Sequence, residues 1–302
     1  MLSIFEYGKT GFEEDKEIKD KTDEIEIKSG EVVCSSPESD ESEIKEGYEL
    51  SAQEISESVY DQTIENVTAE FGKMMSEEQR VRIDIESENY RPEVMTEEDY
   101  FERFPEADPA VLGHYDSEGR VFLKDGDPET ISHVTTHEAM HLSSYKETDD
   151  TKADHEVYRS GIHEVVYDED GLSEDNNRAL NEGITEIYTL RELEKRGETE
   201  AVSAVTAYPE AQQKADELQR IVGDETIQKA YFGGDRELLE SEVNRLSYGD
   251  ETAWKRYSKN VDILEYGTDE EEITKARWEL TIQNAVMLSC KEYNKQAEKE
   301  SA

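Results

Sequence analysis

Apolar residues recur in two rhythms along this chain, and the changes of rhythm mark out its elements. Tyr60, Ile64, Val67, Phe71 and Met74 fall at three- and four-residue spacings, which predicts a helix with one buried face beginning near Ser51. Val81, Ile83 and Ile85 alternate with Arg82 and Asp84, and that period of two predicts a strand. AVLGHYD and RVFLKDG flank Ser117, Glu118 and Gly119, so two strand-like runs can pair across a short turn. Asp127 followed by Pro128 is a helix start, giving a helix to about Tyr145. EVYRSGIHEVVYDEDG has strand composition interrupted at Ser160 and Gly161, which predicts a hairpin over about 155–172. Ser173 then caps a helix that runs to Arg196 and stops at Gly197. Further helices are expected at about 200–222, 224–232, 235–247, 251–264 and 269–299, the last contributing Trp278, Leu280, Ile282, Val286 and Leu288 to the core.

Composition separates an N-terminal arm from this folded part. Residues 1 to about 50 carry 16 acidic and 6 basic side chains among scattered aliphatics, so residues 1–50 are expected to be an acidic, disordered arm. Residues 51–302 form the domain, with strands and the first long helices in 51–150 and a mainly helical lobe in 151–302. The formal net charge of −44 argues against nucleic acid or an anionic membrane as partner, and it could steer cationic substrates. Cys34 and Cys290 provide no disulfide framework. With neither a signal peptide nor a membrane-length apolar run, a cytoplasmic protein is expected, any export following a non-classical route.

The chemistry concentrates in His137-Glu138-Ala139-Met140-His141. Residues four apart stack on one helical face, so both imidazoles can reach one ion, with zinc the natural occupant. Glu138 lies on the flank nearer His141, placed to act as general base toward a water without ligating metal. A catalytic zinc site needs a third protein donor. Glu182 and Glu186, four apart on the later helix, can both face the first, one binding and the other supporting; His163 and Asp168 are the remaining candidates. His133, one turn before His137, reads as a packing or surface histidine, and Cys34 as a remote thiolate candidate. His163, Tyr167, Tyr208 and Tyr231 are candidates for stabilising an oxyanion, with His163 and Tyr208 put forward.

HEAMH followed by Asn181-Glu182-Gly183-Ile184-Thr185-Glu186 resembles the gluzincin group of zinc metallopeptidases. The resemblance covers residues 111–196 and implies an α+β, zincin-like fold: a small mixed sheet beside the HEAMH helix and a helical C-terminal lobe. It implies Zn²⁺ held by His137, His141 and Glu182, Glu138 as general base, Glu186 supporting a zinc-binding histidine, and a protein or peptide substrate. The sheet edge would hold an extended substrate. One departure is the 40 residues between His141 and Glu182, more than in compact thermolysin-like sites. The rival class is a catalytically inactive zincin-fold binding or regulatory protein that uses its acidic arm for interactions, and the presence of Glu138 disfavours it.

Overall fold

The computed structural model describes residues 50–301, apart from 106, 108, 117–119, 153, 154, 169 and 170. The acidic arm, Cys34 and the turn Ser117–Gly119 therefore lie outside the described residues. The chain is α+β, with two small sheets and a helical C-terminal region.

Helix α1 (Ala52–Phe71) opens on a capping box between Ser51 and Glu54. It buries Tyr60, Ile64, Val67 and Phe71 as its spacing requires, while Met74 falls beyond its end and Met75 is the buried methionine. The strand expected at 81–85 is instead helix α2 (Glu77–Asn89), started by a second capping box between Ser76 and Gln79. Of its apolar residues only Ile83 is buried; Val81 and Ile85 are 49% and 53% exposed. The alternation misled because Arg82 takes a structural position that hydropathy does not register. Its guanidinium donates to the carbonyls of Leu142 (3.0 Å) and Ser144 (2.8 Å), where the HEAMH helix ends.

Strand β1 (Glu93–Met95), helix α3 (Glu97–Arg103) and strands β2 (Gly113–Tyr115) and β3 (Val121–Lys124) come next. β3 is central, parallel to β1 and antiparallel to β2, with His114 opposite Phe122. This is the mixed sheet expected, with the hairpin in place; all three residues of its edge strand β2 are buried. Asp127 then caps helix α4 (Pro128–Ser143), its side chain accepting from Thr130 N at 2.8 Å. α4 is buried from Ile131 to Ser143, so its polar side chains need partners. Thr135 pairs with Ser56 (2.9 Å), and Thr136 accepts from Arg196 (2.7 Å).

The segment after α4 forms more than one hairpin. Strands β4 (Lys146–Lys152), β5 (His155–Ser160), β6 (His163–Asp168) and β7 (Gly171–Asn176) make a four-stranded antiparallel sheet in sequence order. Ser173 thus belongs to β7 and starts no helix. Helix α5 (Arg178–Arg196) begins after Asn177, which takes the left-handed conformation at φ 65°. Its end at Gly197 is as expected. The outer strands escaped notice because their sequences, KETDDTK and GLSEDN, have almost no apolar residues to alternate.

Helices α6 (Thr199–Ala204), α7 (Pro209–Val222), α8 (Asp224–Tyr231), α9 (Arg236–Leu246), α10 (Ala253–Tyr266) and α11 (Glu270–Ser301) complete the chain. The single helix expected at 200–222 is divided, because Pro209 disfavours a helical residue before it and Tyr208 adopts φ 47°. α11 buries Ala276, Leu280, Met287 and Cys290 but exposes Trp278, Ile282 and Leu288 at 66%, 57% and 47%, so three of the five residues assigned to the core lie outside it, and Val286 is half-buried. α11 carries apolar residues on two faces and packs only one. Among the described residues no helix is long and apolar enough to cross a membrane.

Candidate metal centre

α4 and α5 pack against one another and bring the two parts of the motif together. On α5, a Cβ at Gly183 would collide with the backbone of Ala211, so this glycine lets α7 close against α5. Asn181 serves as a strap. Its Oδ1 accepts from Ile162 N at 3.0 Å, while Asn177 Nδ2 donates to Ile162 O at 3.1 Å. These bonds hold the β5–β6 turn, in which Gly161 takes φ 59°, against the start of α5.

Between the helices, one donor atom from each of His137, His141 and Glu182 lies within 4.8 Å of the others, a group that could hold a metal ion. Glu182 Oε2 is 3.0 Å from His141 Nε2 and 3.4 Å from His137 Nε2, and the two Nε2 atoms are 3.1 Å apart. Donors around a tetrahedral ion with bonds of about 2.0–2.2 Å stand about 3.3–3.5 Å from each other, so this spacing fits a metal after a small outward relaxation. His137 is fully buried, and His141 and Glu182 are 2% and 3% exposed.

Glu186 approaches the other side of His137, its Oε2 accepting from Nδ1 at 3.1 Å. Such a bond fixes the tautomer that presents Nε2 to an ion. Glu138 is fully buried, and neither of its carboxylate oxygens has a hydrogen-bond partner. Burial pushes its carboxyl up to about 8, against the lowering charge of His137 and together with the raising charge of Glu182. An unsatisfied buried carboxylate costs stability, and a site where one persists is set up to receive something that the protein itself does not supply.

The histidines titrate apart. Burial opposes charge on His137, but its hydrogen bonds to the carboxylates of Glu182 and Glu186 outweigh this and raise the ring to about 9. Burial holds His141 below the usual imidazole range, with the charges of His137 and His163 adding to that effect and Glu182 opposing it. Burial would raise Glu186, yet His133 and His137 bring it down to about 2. A cation arriving at His137 Nε2 must displace a proton, so affinity should rise with pH. Zinc titrations from pH 6 to 10 should show apparent affinity rising about tenfold per pH unit and levelling near pH 9. A flat profile would contradict this proton inventory.

Other residues singled out from the sequence are distributed as follows. His163 Nε2 lies 2.6 Å from Asp175 Oδ1, across from the metal group on β6. Among the described residues the metal-competent group does not contain His163, and Asp168 ends β6 in register with His155. Tyr208 is buried with its ring 6.0 Å from that of His137, the planes 25° apart. Burial and the charge of Glu182 keep its hydroxyl well above the ordinary phenol range. Tyr231 shares a 2.7 Å hydrogen bond with Thr185, and Tyr167 is half-buried opposite Glu156 in the sheet. Sequence reasoning missed Asp175 as the partner of His163, since β7 was invisible, and the strap role of Asn177. His133, read as packing or surface, is fully buried and hydrogen-bonded.

No protein-family model matches this chain, nor does any curated protein or solved structure. Its functional assignment therefore rests on the geometry of the site.

Proposed function

We propose that this chain is a zinc-dependent peptidase with a zincin-like fold, in which His137, His141 and Glu182 hold the metal and Glu138 is the general base. One observation carries the reading: a buried three-donor group takes its two histidines from the same helix as a buried carboxylate that has no partner on either oxygen. Two imidazoles and one carboxylate form the donor set of many hydrolytic zinc sites, and imidazole suits zinc well. A structural zinc would need a fourth protein donor, and among the described residues the metal-competent group provides three.

Zinc held there would act as a Lewis acid toward a water and the scissile carbonyl, bringing the water's pKa to about 7. Glu138 accepts the proton of that water and delivers it to the leaving amine nitrogen, closing the proton balance of peptide hydrolysis. Glu186 keeps His137 turned toward the metal. Tyr208, whose hydroxyl stays protonated beside the site, and His163, held by Asp175, are the proposed donors to the developing oxyanion. Protein or peptide is the proposed substrate.

Metal removal tests the whole reading. Purified protein should contain about one zinc per chain and cleave a denatured protein substrate. Dialysis against a chelator should abolish cleavage, and one equivalent of zinc should restore it. Cleavage that persists in the metal-free protein would sink the proposal.

A further inference from the structure

We propose that His133 is a positioning residue that braces the metal site from two sides at once. The inference rests on the reading of His137, His141 and Glu182 as metal ligands and extends it by one layer. His133 is fully buried one turn before His137 on α4, and each of its ring nitrogens faces an acceptor. Nδ1 lies 2.8 Å from the carbonyl oxygen of Ala201, and Nε2 lies 3.1 Å from Glu186 Oε1. Nδ1 thus faces a backbone carbonyl and Nε2 a carboxylate.

The Glu186 carboxylate thus sits between two imidazoles: His133 Nε2 lies 3.1 Å from Oε1 and 3.4 Å from Oε2, and Oε2 is also 3.1 Å from His137 Nδ1. A carboxylate contacted by one imidazole can rotate about its last bond. A second imidazole against it restrains the orientation that it presents to His137. The other bond of His133 acts at a different place. Ala201 lies in α6, a helix of six residues whose last carbonyls have no partner within the helix. By bonding the Ala201 carbonyl, His133 fastens α6 to α4. The chain leaving α6 reaches Tyr208 a few residues later, and the ring of Tyr208 lies against His137. One side chain thus fixes His137 through Glu186 and also fixes the origin of the segment that brings Tyr208 to the site.

Three variants separate this role from simple packing. His133→Phe removes both bonds, His133→Gln can still donate to Glu186, and His133→Asn can still donate to Ala201. Zinc dissociation constants are measured by chelator competition on purified protein, with near-ultraviolet circular dichroism to check the fold. His133→Phe is expected to weaken zinc binding about tenfold to a hundredfold, as for other residues that orient a metal-binding histidine. His133→Gln should stay within about threefold of the unmodified protein, while His133→Asn should lose about tenfold. Combining His133→Phe with Glu186→Gln should weaken binding by less than the product of the two separate losses, because the two residues share the bond that acts on His137.

A folded His133→Phe protein with unchanged zinc affinity overturns the inference, as does a double variant whose losses multiply. If His133→Phe does not fold, the comparison of Gln with Asn decides, and equal affinities overturn it. Affinity is read without turnover, so a protein that binds zinc in this pattern but cleaves no peptide refutes the proposed reaction and leaves the His133 assignment standing. A protein that binds no zinc refutes both.

Discussion

Replacing Glu138 with Gln should lower kcat by about a thousandfold to ten-thousandfold while leaving one zinc bound per chain. That loss corresponds to about 4–5 kcal/mol of barrier, the upper part of the range for general acid–base catalysis. The amide keeps the shape of the carboxylate but cannot take a proton from water. Zinc content should not change, because Glu138 is absent from the group of converging donors. Stability should hold: the side chain is fully buried with both oxygens unpartnered, and burial pushes its carboxyl up to about 8, so near neutral pH the amide replaces a group that is already largely uncharged. Metal analysis, thermal unfolding and a hydrolysis assay on the same preparation measure all three quantities. Full activity in this variant would remove Glu138 from the reaction, whereas zinc-loaded unmodified protein that cleaves nothing would favour a metal-binding protein without hydrolytic function.

Glu182→Ala should act on the metal itself. Four-donor zinc sites bind with about 10–16 kcal/mol in all, so one donor accounts for about 3–4 kcal/mol, and zinc affinity should fall by a factor of a few hundred. Hydrolysis should disappear at zinc concentrations that saturate the unmodified protein. A second readout needs no substrate. A ligand that binds only the folded state raises stability in proportion to the logarithm of its concentration over Kd, so chelation should lower the melting temperature of the unmodified protein. The same chelation should barely move Glu182→Ala. Equal zinc affinity in the two proteins would show that another side chain completes the site.

The residues of this centre were legible in the sequence to different degrees. His137 and His141 could be paired from their four-residue spacing alone, since a helix places them on one face whatever surrounds it. The Asp127-Pro128 start and the Gly197 stop were legible for the same reason, as local backbone chemistry. Glu182 needed more: spacing allowed it or Glu186 to approach the histidines, and only the packed helices show Oε2 of Glu182 between the two Nε2 atoms and Glu186 behind His137. His133 looked unremarkable because nothing near it in sequence announces Ala201 or Glu186, 68 and 53 positions away.

Misread elements share one cause. Val81 and Ile85 gave a strand rhythm in α2 although both face outward, and β4 and β7 are strands with hardly any rhythm. Hydropathy patterns report which side of an element is buried, so they fail where an element is held by hydrogen bonds and edges instead, as α2 is through Arg82. Trp278 and Ile282 illustrate the converse, apolar residues on a helix face that nothing in the fold covers.

By itself, the sequence determined what depends on neighbours within a helical turn: the Asp127 cap, the Gly197 stop, the paired imidazoles and the adjacent carboxylate. The tertiary structure decided what depends on separate segments meeting in space, namely the third donor, the two-sided hold on Glu186, the strap of Asn181 and the isolation of Glu138. The reason is physical. Backbone geometry ties near neighbours together in any environment, whereas burial and long-range contacts exist only once α4, α5 and the second sheet have packed.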